Sequence, residues 1–159
     1  MLIEIKKVQV NQRLSQETHC FSADVWIDGV KAGAIQNAGH GGPDDFFPVQ
    51  GGQTLAQINE RIAREMPEVP GFPSLTNDLE IVVGDLVNAH VVQKSVGSRL
   101  KRKAVYVVDG KRNPDGKETA YECDIKGAEK LRTNPKITVL NDLPIADVVK
   151  RLTEAGVLH

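Results

Sequence analysis

This 159-residue chain has almost no cysteine: Cys20 and Cys123 stand alone, and neither belongs to a CxxC pair. Two isolated thiols are too few for a disulfide framework. The opening "MLIEIKKVQV" alternates apolar and charged residues and has no continuous apolar h-region, so it reads as a strand and not as an export signal. Both thiols are therefore expected to be reduced and partly buried in a cytoplasmic protein. The chain also lacks any apolar run near the roughly 20 residues that span a bilayer, which excludes a helical membrane anchor and leaves no membrane partner expected. An excess of charge is missing too. Twenty Lys and Arg against 21 Asp and Glu give a formal −1, which argues against a whole-protein field drawing it to nucleic acid or an anionic membrane. Absent as well are HExxH, GxGxxG, GxxxxGK[ST] and GxSxG, so the usual zinc, nucleotide and serine-hydrolase fingerprints are excluded. No cofactor is expected.

What is present suits an ordinary globular protein, 40 % hydrophobic and 26 % charged. The length fits a single domain over residues 1–159, which would bury about two-thirds of its unfolded surface. Residues 2–10 alternate as a strand. Around 20–28, Phe21, Ala23, Val25 and Ile27 alternate with Cys20, Ser22, Asp24, Trp26 and Asp28. Asp28-Gly29 then supplies type I′ turn chemistry, and "VKAGAIQ" returns as the partner strand. Thr54 with Gln57 forms a capping box for a helix whose stripe is Leu55, Ile58, Ile62 and Met66, ending before Pro67. A proline-rich connector, "PEVPGFPSLTND", leads to a second helix from about Asp78 toward Ser95. Leu79, Val82, Val83, Leu86, Val87 and Val91 form its apolar stripe, and its many valines leave an extended alternative open.

A second hairpin is expected with arms at 104–109 and 119–125 around the turn residues Asn113-Pro114-Asp115-Gly116. A short helix near 127–133, the strand "KITVL" and a helix from Leu143 to Ala155 follow. Asn141 or Asp142 is expected to cap that last helix, with Pro144 in its first turn and Gly156 ending it. The order β-β-β-α-α-β-β-α-β-α lacks regular strand–helix alternation. It predicts an α+β fold, a mainly antiparallel sheet built from two hairpins and packed with three to four helices.

The stretch "NAGHGGPDDFFP", residues 37–48, is the strongest functional candidate. Gly39, Gly41 and Gly42 free the backbone for positive φ and close approach of a ligand. His40 offers a titratable imidazole, and Asp44 and Asp45 add carboxylates able to serve as hard-metal ligands or a base. No second His stands at metal-binding spacing, so no metal ligand is assigned. Phe46 and Phe47 are two of seven aromatics. One is expected to anchor the loop, and a pair left exposed would be a stacking surface or a hot spot for a partner protein. Asn37 completes the set.

Charge is uneven along the chain. Lys94, Arg99, Lys101, Arg102, Lys103, Lys111 and Arg112 stand against Asp109 alone, a local +6, whereas residues 51–93 carry a local −4. Arg99 and Arg102 are forks suited to phosphate oxygens, and Gly97 and Ser98 are candidates to offer backbone N–H groups beside them. The same run equally suits the solvated end of a helix. His19, His90 and His159 are isolated, and His90 reads as a core or boundary residue. His19 and Cys20 point to opposite faces of a strand, which argues against a thiol–imidazole pair. Glu17 and Thr18 read as the approach to a strand.

Residues 13–42, "RLSQETHCFSADVWIDGVKAGAIQNAGHGG", resemble the opening of small uncharacterised accessory proteins of phages and mobile elements. The shared features are a basic residue, Leu14-Ser15, Glu17-Thr18, Phe21, Asp28-Gly29, Asn37, Gly39 and the Gly41-Gly42 pair. The run "RLKRKAVYVVDGK" is similar too. The resemblance covers about a fifth of the chain and implies a small cytoplasmic protein acting on host processes or defence by binding. No catalytic residue carries over, because none is established for that group.

The expectation is thus a non-enzymatic binding protein. Asn37, Gly39, His40, Gly41, Gly42, Asp44, Asp45, Phe46 and Phe47, with Arg99, Lys101, Arg102 and Lys103, would line one surface for an anionic, nucleotide-like molecule or a host protein. A homo-oligomer is a further expectation. Two alternatives stay open: a metal-dependent hydrolase using His40, Asp44 and Asp45, and a weak nucleic-acid binder working through Arg99, Lys101, Arg102 and Lys103.

Overall fold

Period-two burial builds the first sheet. In the computed structural model, which describes residues 1–69 and 75–158, β1 (Ile3–Val10), β2 (Cys20–Ile27), β3 (Val30–Ala38) and β4 (Asp45–Pro48) pair antiparallel in the order β1-β2-β3-β4. Phe21, Ala23, Val25 and Ile27 of β2 are buried, and β3 continues the same parity with Gly33, Ile35 and Asn37. The β2–β3 turn is as expected. Asp28 and Gly29 both have positive φ, 50° and 82°, as a type I′ turn requires. Asp28 also accepts the Leu2 N–H at 2.8 Å and an Arg61 N–H at 2.6 Å, which holds its carboxyl below the usual range.

Two helices complete this unit. α1 (Leu55–Glu65) begins in the expected capping box, with the Thr54 side chain and the Gln57 side chain each accepting the other residue's backbone N–H. It buries Ile58 and Ile62. α2 (Leu79–Leu100) buries Leu79, Val83 and Val87 in its first part. Asp78 accepts the Ile81 N–H and Asn59 of α1 accepts the Leu79 N–H, both at 2.9 Å, so two donors of the first turn have partners. Part of the proline-rich connector, residues 70–74, and the terminal His159 lie outside the described residues.

The chain divides into two compact units, Met1–His90 and Val91–His159. In the second, β5 (Lys103–Arg112), β6 (Glu118–Asp124) and β7 (Ile137–Val139) form an antiparallel sheet in the order β6-β5-β7. Val105 and Val107 pack with Val96, Leu140, Val148 and Leu152, drawing on α2, β5 and α4 (Ile145–Glu154). Ala104, on the other parity of β5, packs with Val139 and with Ala128 of α3 (Ala128–Arg132). Tyr106 and Tyr121 stack as a cross-strand pair, ring centroids 5.6 Å apart. The α+β class is therefore the fold, with two antiparallel hairpin-built sheets and four α-helices among the described residues. Among the described residues, no helix is long and apolar enough to cross a membrane.

Three local expectations are corrected. Residues 45–48 were read as loop but pair with β3 as an edge strand, with Phe46 opposite Ile35 and Phe47 opposite Ala34. α2 runs five residues beyond Ser95, because Val92, Val96 and Leu100 keep its apolar stripe packed in the second unit. Its open helix glycines, Gly84 and Gly97, are each about 1 kcal/mol less favourable than alanine, and packing outweighs them. Asn141 and Asp142 do not cap α4. Asn141 instead accepts the Val105 N–H at 2.8 Å and donates to the Leu100 and Lys103 carbonyls, while Asp142 pairs with Arg132. Gly156, with φ 72°, ends α4 as expected.

Gly33 is required by packing, since an added Cβ would lie 2.5 Å from the Phe47 carbonyl and 2.6 Å from the Phe46 ring. Gly33→Ala is expected to destabilise the protein by about 1–3 kcal/mol through overpacking. In hydrogen exchange, protection should fall first across β4. Wild-type protection there would contradict this packing.

Candidate binding cleft

Asn37 occupies a buried, apolar-parity position of β3, paired with Phe21 of β2. A buried amide needs partners for two acceptor sites and two donors, and here all four are met. Its Oδ1 accepts the Thr18 hydroxyl at 2.8 Å and the Gly39 N–H at 2.7 Å. Its Nδ2 donates to the Gly42 carbonyl at 2.9 Å and to the Asp44 carboxylate at 2.8 Å. One side chain thereby binds the turn 39–44 to the segment before β2. The Gly39 carbonyl adds to the seam by accepting the Gln16 and Glu17 N–H groups at 2.9 and 3.2 Å.

Two of the loop glycines have a physical necessity. Gly39 has φ 88°, and a Cβ there would collide with the Leu14 carbonyl. Gly41 has φ 83°, and a Cβ would collide with the Glu17 carboxylate. Gly42 has open space around it.

Beside this seam lies a cleft of about 580 Å³, within the size range of small-molecule sites. One wall is Ser15 through His19, with Asn37 and Asp44; the other is the helical stripe Glu80, Gly84, Val87 and Asn88 of α2. Those four lie at i, i+4, i+7 and i+8, one face of the helix. Phe21 and Val87, both nearly fully buried, supply an apolar floor. His19 Nε2 meets the Asn88 Oδ1 at 2.8 Å and joins the two walls.

The electrostatics are one-sided. Glu17, Asp44 and Glu80 line the cleft, and none of its described lining residues is Lys or Arg. Burial pushes the Asp44 carboxyl above the usual range; the Asn37 hydrogen bond opposes this, and Glu80, Asp45 and Asp78 add to it. The surrounding unit, residues 1–90, carries six Lys and Arg against twelve Asp and Glu, a formal −6. Residues 91–159 carry fourteen against nine, a formal +5.

The expected site residues separate on this geometry. Asn37 and Asp44 line the cleft, and Gly39, Gly41 and Gly42 shape its loop. His40 is exposed, its Nδ1 3.3 Å from the Gln16 Oε1, and Asp45 is exposed opposite Gln36 in β4. Phe46 is the half-buried anchor, its ring against Gly33, whereas Phe47 is 53 % exposed. Among the described residues, no three His, Cys, Asp or Glu side chains gather as metal ligands.

Arg99, Lys101, Arg102 and Lys103 belong to the second unit. Arg99 pairs with Glu122 and Lys103 with Asp124, the latter at 2.9 Å, while Arg102 donates to the Ser98 carbonyl. Gly97 and Ser98 are helical, and the last turn of a helix presents carbonyls where an anion needs N–H groups. That phosphate cradle is therefore not formed.

Sequence reading missed Ser15 through His19 and Glu80, Gly84 and Asn88. A usable signal was present: Asn37 falls on the apolar parity of β3, and a buried amide there demands partners from elsewhere. Comparison of the chain with protein-family models, curated proteins and solved structures finds no match.

Two outcomes follow from the seam. Asn37→Ala strands the Gly39 N–H and the Gly42 carbonyl and is expected to cost about 2–4 kcal/mol, measured by urea unfolding. Asp44→Asn should do the opposite. It keeps an acceptor for the Asn37 amide and removes a half-buried charge, so Tm near pH 7 rises by up to about 3 °C, screening keeping the gain small. An acid with a raised folded pKa binds its proton more tightly when folded. Its destabilising effect is full above that pKa and fades as pH falls toward the ordinary aspartate value. The Tm gap between Asp44→Asn and wild type should close over that acidic window; a gap widening there would refute the assignment.

Proposed function

We propose that this is a binding protein whose first unit captures a small organic cation, an amine or guanidinium carried on a short apolar stem. The observation that carries the reading is the pairing of chemistries in one cleft. Three carboxylates, Glu17, Asp44 and Glu80, face a space floored by Phe21 and Val87 with no Lys or Arg among the described lining residues. A partly desolvated carboxylate gains from an opposite charge far more than an exposed one. An anion placed there would meet three like charges. The anionic ligand expected from the sequence rests on Arg99, Lys101, Arg102 and Lys103, which lie in the other unit, so the cleft's own charge favours the opposite sign. The resemblance of residues 13–42 to phage and mobile-element accessory proteins contributes a counter-defence setting to the proposal, and none of its chemistry.

A second reading concerns residues 91–159 alone. Their +5 charge, with Lys101 and Arg102 lacking carboxylate partners among the described residues, supports weak, salt-sensitive attraction to a nucleic-acid backbone.

Isothermal titration with argininamide, which carries two cationic groups and no carboxylate, tests the first reading. Binding is expected, together with thermal stabilisation that approaches about 2.7 kcal/mol at a hundredfold excess over Kd. An Asp44→Asn, Glu80→Gln double variant should lose both. ATP should give neither effect at the cleft. Stabilisation by ATP that survives in Arg99→Ala, Arg102→Ala, with none by argininamide, would refute the cation reading.

A further inference from the structure

We infer that Gly84 is the specificity-determining residue of the cleft: its missing side chain is the slot through which a ligand's charged head reaches Glu80 and Asp44. This rests on the cation-cleft reading and deepens it. Glycine inside a helix is less favourable than alanine, because it orders a freer backbone and exposes it to water. Two ordinary reasons for tolerating that do not apply at position 84. Gly84 is not among the positive-φ residues, so the backbone does not require it. A Cβ built there meets nothing within 4 Å, so packing does not require it either. What surrounds the missing side chain is the cleft.

The position is specific. Glu80 stands one turn before Gly84 and Asn88 one turn after, on the same face of α2. Helical Cα–Cβ bonds tilt toward the N-terminus, so a side chain at 84 would lean over the turn that carries Glu80. Asp44 lines the same cleft as Glu80 and Gly84. A side chain at 84 would therefore cover the approach to both carboxylates. With glycine there, a stem can lie across bare helix backbone and over Phe21 and Val87 while its cationic head passes to the acidic end.

Gly97 provides an internal control. It sits in the same helix, also lacks a positive φ, and also has open space around its absent Cβ, but it does not line the cleft. Gly84→Ala, Gly84→Leu, Gly97→Ala and Gly97→Leu would be compared with wild type for Tm and for argininamide affinity by calorimetry. Both alanine variants are expected to raise Tm. Gly84→Leu is expected to weaken argininamide binding at least tenfold and Gly84→Ala about threefold, while the Gly97 variants bind within twofold of wild type. Should Gly84→Leu not fold, the alanine variant decides the matter by gaining stability and losing affinity together. Wild-type affinity in the Gly84 variants overturns the role of Gly84 and leaves the cleft reading standing. Equal losses at Gly97 overturn it as well, since the effect would then belong to the helix and not to the slot. Absence of argininamide binding by wild type overturns both.

Discussion

The buried carboxamide of Asn37 is the interaction on which the site depends. Its environment is the inward parity of a strand, beside Phe21 and Ile35, where water cannot satisfy it. Four protein groups do so instead, two donors and two acceptors in the numbers an amide can use. The geometry of the turn is a consequence. Gly39 must present its N–H while turning at positive φ, Gly42 must aim its carbonyl inward, and Asp44 must bring a carboxylate to the same nitrogen. Thr18 ties the segment before β2 to the same atom that Gly39 uses. A cluster satisfied to this degree is rigid, because any shift that relieves one contact breaks another. The cleft inherits its shape from that rigidity.

Much of this architecture was legible in the amino-acid sequence, for local reasons. The period-two alternation of 20–28, the Asp28-Gly29 pair and the Thr54/Gln57 box each encode structure within a few residues, and the molecule follows them. Where longer-range terms decide, local reading failed. Asp45–Pro48 begins with an acid and ends with a proline, poor strand chemistry, yet it pairs with β3 because Phe46 packs on the bare surface of Gly33. α2 outlasts two glycines because Val96 and Leu100 are held in the second unit's core. Asn141 looked like a helix cap by its place before Pro144, but the stronger demand came from β5 and the end of α2. The site was half visible: the glycine-rich loop was found, and its opposite wall, more than 35 residues away in sequence, was not.

The division of charge reorders the functional picture. Near-neutrality of the whole chain conceals one unit at −6 and another at +5. Reading the chain as one body made the basic run at 99–103 the natural partner of the loop at 37–48. Within the second unit that run is already engaged, as Arg99 and Lys103 find Glu122 and Asp124 across β6. Exposed pairs of this kind add little stability, yet they do neutralise the field an anionic ligand would use. In the first unit none of the described residues lining the cleft is Lys or Arg, and Asp44 in particular is half-buried.

Gly84 and Asp44 share a logic that the folding of the chain alone does not explain. Each is a worse choice for stability than an available neighbour in chemical space. Alanine would suit the helix better at 84, and asparagine would meet the Asn37 amide at 44 without burying charge. The two residues lie on facing walls of the same cleft, one withholding volume and the other supplying charge. Local rules broken together at one place are what a binding site produces, since occupancy by a ligand returns the free energy that the empty site forgoes. Gly97 departs from the same helix rule away from the cleft, so a helix glycine alone marks no site; position 84 differs in facing the charge of Asp44. Gly84 and Asp44 face one space with an apolar floor and an acidic rim, and the proposed cation is the chemistry complementary to both.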